Sequence, residues 1–390
     1  MGLGFPAQFW VIIFSTFLGF TGIGAIVPLL GPHVKIDLGQ SDRIVGLAIG
    51  IFSVVALASR LLAGPLTDRR GRKPALIVGL VFCSVAGVVY LLPVGVMAVF
   101  VARILQGMGE AFLFVAAAAW AVEVAPADRR SQALGFLGAG VWGGLSAGPA
   151  IGAMLGNFDA AAVMLVLMPI PAIAALWRLQ ETLRPHPDAG PKRLIPRAAL
   201  LPGLTLGFVN IQYPAMAGFL TLHLADHGNT GGKAFSAYAT VILTSRFFLG
   251  GLPDRIGPRI TFYFGLACMA LGLFLISLAP APWLAITAGA ITGLGFSLPW
   301  PSIASTVLNR ARENERAASV GVLTACVDLF VGAGSFADGA IAHHFGYPML
   351  YWVAIGGVGI AAILGYRVTA RRSEPHAHIE PAEDPVADLA

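Results

Sequence analysis

Apolar runs of about 20 residues, the length an α-helix needs to cross a hydrocarbon core, recur along almost the whole chain with short polar breaks between them. The pattern predicts twelve membrane spans, near 8–30, 42–66, 74–92, 95–123, 132–154, 160–178, 198–222, 235–252, 260–278, 283–308, 317–342 and 348–369. The first, FWVIIFSTFLGFTGIGAIVPLL, has no basic segment before it and no small-residue cleavage site after it, so it is expected to be a retained span rather than a signal peptide. The longest interior connection, RLQETLRPHPDAGPKRLIPR, is rich in proline and charge. It predicts a linker, 179–197, between an N-terminal six-helix bundle, 1–178, and a C-terminal one, 198–370. The tail 371–390 carries Pro, Glu and Asp with almost no apolar periodicity and is expected to be disordered.

Composition fits that picture. Of 390 residues 57% are hydrophobic and 12% charged, with a mean hydropathy of +0.78. Such a chain cannot cover itself with polar surface, and the expected class is an all-α membrane protein with the lipid bilayer as its medium. Twelve crossings leave both termini on one side. The loops expected on that side hold most of the bases, among them Arg69, Arg70, Arg72, Lys73, Arg129, Arg130, Arg255, Arg259 and Arg367, while the other side keeps Lys35, Arg43 and Lys233. By the positive-inside rule both termini are cytoplasmic. The net charge of +5 therefore reflects topology, and no nucleic-acid partner is expected. Cys83, Cys268 and Cys326 lie far apart without metal-ligand spacing and are expected to be packing residues. His223, His227, His343 and His344 are expected at the outer surface, and no metal or cofactor is expected.

Charges are scarce, yet SRLLAGPLTDRRGRK (59–73) concentrates them, and SRFFLGGLPDRIGPR (245–259) repeats the arrangement 186 residues later. Arg60 is answered by Arg246, Gly64 by Gly250 and Asp68 by Asp254. The same offset joins Pro28 to Pro214, Gly107 and Gly109 to Gly293 and Gly295, Arg130 to Arg316, Gly135 to Gly321, and Gly148 to Gly334. A single offset across six regions predicts a duplicated bundle, two parallel halves about an axis along the membrane normal with a cavity between them.

At these residues the chain resembles the major facilitator superfamily. GPLTDRRGRK looks like the family's loop 2-3 signature, with GGLPDRIGPR a weaker copy, and RILQGMGEA (103–111) resembles its span 4 motif. Gly135, Gly144, Gly148, Pro149 and Gly152 match the span 5 motif of proton-driven drug exporters, except that Ala153 stands where the motif ends on glycine. The resemblance implies a twelve-helix fold of two pseudo-symmetric six-helix bundles that transports by alternating access. It also implies a latch at the cytoplasmic face, made by Asp68 and Arg72 with Gly64 allowing close helix approach and Asp254 and Arg255 as the second copy. The competing reading is a solvated loop whose bases only fix topology. The ridge Gly144, Gly148 and Gly152 with Pro149 is either a hinge between moving helices or static packing.

Ionisable groups inside the bilayer cost several kcal/mol unless paired or hydrated. Arg103 and Glu110 lie seven apart on nearly one face of span 4, and Asp328 is the acidic counterpart picked out in the second half. A carboxylate in a low-dielectric cavity holds a proton more tightly than one opened to water or to a cation, which is what coupling to a proton gradient requires. Glu110 and Asp328, with Arg103, are thus candidate proton-coupling residues. The alternative is a static Glu110 to Arg103 pair with Asp328 as a buried hydrogen-bond partner. Span 1 offers only Thr21 as a polar group in FTGIGAIVP. The spans that line the family's cavity add Glu110, Phe114, Asn210, Gln212, Tyr213 and Trp300 to Thr21 as candidate substrate contacts. Amides and aromatics suit a neutral or weakly cationic organic molecule, or serve as glue between helices.

The leading expectation is a monomeric proton-coupled exporter of a small organic molecule, in a prokaryotic inner membrane since no targeting extension is present. An uptake symporter for a sugar or metabolite and a non-transporting membrane receptor are the alternatives. No clustered histidines, Ser-His-Asp set or metal motif points to an enzyme.

Overall fold

The computed structural model describes residues 4–126, 129–181, 197–225, 230–249, 251–278, 281–310 and 316–370. Among them the regular structure is helical, without strands. In the first half α1 (Ala7–Pro32) runs on into one wide turn, His33–Asp37, followed by α2 (Asp42–Arg70), α3 (Arg72–Tyr90), α4 (Val96–Val124), α5 (Arg130–Leu155) and α6, which is Phe158–Leu167 resumed at Pro169–Trp177. In the second half α7 is Arg197–Asn210 continued by Gln212–Pro214, a wide turn Ala215–Phe219 and Leu220–His223. There follow α8 (Thr230–Leu249), α9 (Pro258–Ser277), α10 (Pro282–Ser297 resumed at Pro299–Arg310), α11 (Arg316–Phe345) and α12 (Pro348–Ala370).

Ten of these helices are long and apolar enough to cross a membrane on their own. The other two are α7, broken into pieces, and α8, which carries Lys233 and Arg246. The helix expected from 235 begins at Thr230 instead. Gly231 is packed so tightly on α7 that a Cβ there would fall 2.5 Å from Thr221 Cα, so neighbour packing carries the helix through a Gly-Gly pair that reads as loop. Most of the expected linker, 182–196, and the tail 371–390 lie outside the described residues, as do His227 and the side chain of Asp254.

Within each half the same pairs of helices pack: α1 on α5, α3 on α4 and α2 on α4, then α7 on α11, α9 on α10 and α8 on α10. The halves meet along two long seams, α2 against α11 and α5 against α8, and α1 also meets the wide turn and last piece of α7. The glycine ridge of α5 is seated on α1 of its own half. A Cβ on Gly144 would lie 2.6 Å from the Phe17 carbonyl oxygen, and one on Gly148 2.8 Å from Ala25 N. Pro149 lies inside α5 without ending it. The repeat inverts this interlock in the second half, where Phe330 stands in the place of Gly144 and presses on Gly207, which stands in the place of Thr21.

The two ends of the seams differ. At the end away from the basic loops, a Cβ on Gly339 of α11 would fall 2.8 Å from the Asp42 carbonyl oxygen of α2, and Gly50 backs onto the Phe336 ring. A polar clasp lies over this contact. Tyr347 donates to Asp42 Oδ1 at 3.0 Å, Lys35 donates to Asp42 Oδ2 at 2.6 Å, and Arg43 Nη2 sits 2.5 Å from His344 Nε2. Burial raises the Tyr347 phenol above its ordinary value, which keeps it a donor. At the basic end, nothing among the described residues lies within 4 Å of a Cβ added to Gly64, Gly135, Gly138, Gly251 or Gly321.

Candidate functional site

Arg60 of α2 stands between the two halves. Its Nη2 donates to Glu110 of α4 at 2.9 Å and 3.2 Å, and its Nη1 donates to Asp328 of α11 across the seam. Phe114 closes one side, 5.4 Å from the guanidinium carbon. The two acids singled out from the sequence are thus brought together, on a cation the sequence reading had noted only as half of a repeat. The cluster holds two carboxylates and one guanidinium, so with every group ionised it carries one unbalanced negative charge. Such an imbalance is costly in a low-dielectric surrounding.

Arg103 is not the partner of Glu110. Seven residues of helix separate them by about 10 Å of rise, and Arg103 is occupied nearer its own level. It donates to the Ala48 and Ile49 carbonyls of α2 at 2.8 Å and 3.1 Å and to Gln106 at 2.9 Å, with Phe52 beneath it at 4.4 Å. Gln106 accepts from Tyr90 of α3 at 3.1 Å and donates to Ile23 of α1 at 3.4 Å. The Arg103 and Gln106 pair therefore braces α1, α2, α3 and α4 of the first half.

A third intramembrane acid carries no signal in the sequence pattern. Asp338, on α11 toward the clasped end, is 4% exposed and its Oδ2 has no hydrogen-bond partner.

Across the molecule, Arg246 of α8 stands where the repeat places Arg60. The offset maps Glu110 onto Phe296 and Asp328 onto Trp142, and both aromatics are at Arg246. The guanidinium lies over the Trp142 ring at 4.2 Å, and both rings line a pocket with it. Asn210 and Trp300 line the same pocket. A neighbouring one shares Trp142 and Phe296 and adds Tyr213 and Tyr238. Three expected contact residues therefore meet here, Asn210, Tyr213 and Trp300, while Phe114 and Glu110 belong to the Arg60 cluster. Gln212 is buried and donates to Tyr238 at 3.2 Å, and Thr21 donates to its own helix at Phe17. A cationic molecule, one of the two types expected from amides and aromatics, is disfavoured here, because Arg246 already places a positive charge in the pocket.

The loop between α2 and α3 turns at Gly71, whose φ of 109° favours glycine. Arg72 pairs with Asp68 at 3.2 Å and with Glu123 of α4 at 3.0 Å, and Glu181, after α6, accepts from the first two N–H groups of α3 at 3.2 Å and 2.9 Å. These partners all belong to the first half, and the Asp68 side chain is 70% exposed. Arg255, of the second copy, is exposed.

The sequence profile of the Major Facilitator Superfamily matches residues 12–222 and 198–390. An uncharacterised MFS-type transporter of Salmonella typhimurium is 28% identical over 369 residues, covering 91% of this chain and 93% of its own length. Among solved structures, a POT family transporter in complex with 5-aminolevulinic acid is similar with a TM-score of 0.77 at 12% identity, over 95% of this chain and 98% of that one. A bacterial homologue of the human lysosomal transporter Spinster, in an inward-facing and unoccupied conformation, gives a TM-score of 0.72 at 16% identity, over 93% and 95%.

Proposed function

The chain belongs to the major facilitator superfamily and is a multi-pass membrane transporter, and on that premise we propose that it couples export of a small organic molecule to proton entry through the cluster of Arg60, Glu110 and Asp328. The observation that carries the reading is one guanidinium shared by two carboxylates on opposite sides of a seam. A single proton balances that cluster. Protonation of Asp328 weakens its hold on Arg60 and makes the α2 to α11 contact easier to separate, whereas protonation of Glu110 leaves the pair across the seam in place. Asp328 comes from the second half and Glu110 from the first, so a change in proton occupancy acts on the relative position of the bundles.

With the basic end cytoplasmic, the clasp of Lys35, Asp42, Tyr347 and Arg43 closes the outer face, and the unfilled glycines at the other end correspond to a state open to the cytoplasm. Asp68, whose ion pair among the described residues is with Arg72, becomes available to the α8 to α9 turn when that face closes. This is the latch role. The span 5 motif supports export as the direction, the charge distribution supports cytoplasmic termini, and a prokaryotic inner membrane is the proposed setting.

Transport measured in inverted vesicles with an imposed pH gradient tests the coupling. Glu110→Gln with Asp328→Asn is expected to abolish gradient-driven accumulation while leaving substrate exchange without a gradient. Normal gradient-driven rates in that double variant would remove both acids from the coupling.

A further inference from the structure

We propose that the pocket at Arg246 is the binding site for an organic anion, a molecule with a carboxylate or similar acidic group on a flat apolar body. Arg60 and Arg246 occupy equivalent places in the repeat. Arg60 is neutralised by two acids. At the corresponding positions around Arg246 stand Phe296 and Trp142, which supply rings and no acceptor for its N–H groups. Among the described residues no carboxylate or carbonyl accepts a hydrogen bond from Arg246, and its buried Nε has no partner. A buried guanidinium donor left unmet is costly, and an acidic group from outside the chain, accepting from Nε and one Nη, meets that need with matching geometry.

The walls describe the rest of the molecule. Trp142, Phe296 and Trp300 present aromatic surface, Trp142 and Trp300 with ring centres 6.3 Å apart. Asn210 is the one amide, and its Nδ2 is already given to the Leu206 carbonyl at 2.7 Å, which leaves its oxygen to orient a donor on the ligand. The pocket lies between α5 and α8, with α7 and α10 as further walls. Its occupant therefore contacts both halves, as a transported molecule must. The inference rests on the transporter reading and names its substrate class, but it is independent of which ion drives transport.

Equilibrium binding to the full chain in lipid nanodiscs, measured by calorimetry, tests it with three probes of one shape: 3-phenylpropionate, its neutral amide and the cationic 3-phenylpropylamine. The acid is expected to bind at least about tenfold more tightly than the other two, the margin of a charge-assisted hydrogen bond. Arg246→Gln should bring the acid down to the level of the amide, and Arg246→Lys should retain part of the preference. Trp142→Ala should weaken the acid and the amide together. Equal binding of acid and amide, unchanged binding of the acid to Arg246→Gln, or no binding of the acid to the unaltered chain would overturn the proposal. Binding of the acid in nanodiscs together with no gradient-driven accumulation of it in inverted vesicles would leave this site standing and overturn the coupling reading instead.

Discussion

The seam of α2 and α11 and the seam of α5 and α8 descend from one pattern and differ in what surrounds the same cation. In the first, Arg60 is held by Glu110 and Asp328; in the second, Arg246 lies against Trp142 beside Phe296. Both helix pairs bring an arginine to the same level of the bundle. A duplicated frame can thus carry two tasks once the partners of a single residue change from acids to rings. On the proposed coupling, the first seam answers to protons because its two acids outnumber their one base. In the second, no acid among the described residues pairs with Arg246, and the proposed anion would take that place.

The largest expected effect follows from removing each cation in turn. Arg60→Gln leaves two carboxylates without their base and should destabilise the chain by about 3–5 kcal/mol, read as a lower unfolding midpoint that Glu110→Gln in the same chain largely restores. Arg246→Gln should change stability by less than about 1 kcal/mol or raise it; equal losses from both would erase the distinction. Next, Trp142→Asp rebuilds the first seam's arrangement in the second. It should cut binding of 3-phenylpropionate about tenfold or more, because Arg246 then has an internal partner; retained binding would move the anion site elsewhere.

A smaller effect is expected at the basic end. Gly64→Val meets open space in this conformation and should leave stability within about 0.5 kcal/mol. It should slow transport about fivefold, the equivalent of about 1 kcal/mol in a barrier, by obstructing close approach when that end shuts. The smallest comes from Tyr347→Phe, which removes one hydrogen bond of the clasp, about 1 kcal/mol. The balance should move away from the present conformation. The check is maleimide labelling of Gly321→Cys, in a chain whose own Cys83, Cys268 and Cys326 are replaced by alanine; labelling should fall.

Most of the fold was legible because a bilayer demands apolar runs of one length, and the basic residues mark their ends. The start of α8 was not, since Gly231 and Gly232 suit a helix only when α7 lies against them. For the site, scarcity pointed to Glu110 and Asp328, which the structure brings together on Arg60. Sequence spacing proposed Arg103 as the partner because it looks along one helix, whereas the true partner came from the adjacent one. The repeat had already set Arg60 beside Arg246. Carrying the same offset to Glu110 and Asp328 exposes Phe296 and Trp142, a signal present in the sequence and unused. Asp338 gave no such signal, because nothing in the pattern distinguishes it from an acid near a helix end.

The ridge of α5 seated on α1 governs how force crosses the membrane. With no volume to yield between Gly144, Gly148 and the α1 backbone, these two helices cannot slip past each other and behave as a stiff beam. A beam pivoting on the seams trades a small displacement at one face for an opposite one at the other. On the proposed alternating-access reading, release of the clasp would therefore shut the far mouth by leverage, with no message relayed from side chain to side chain.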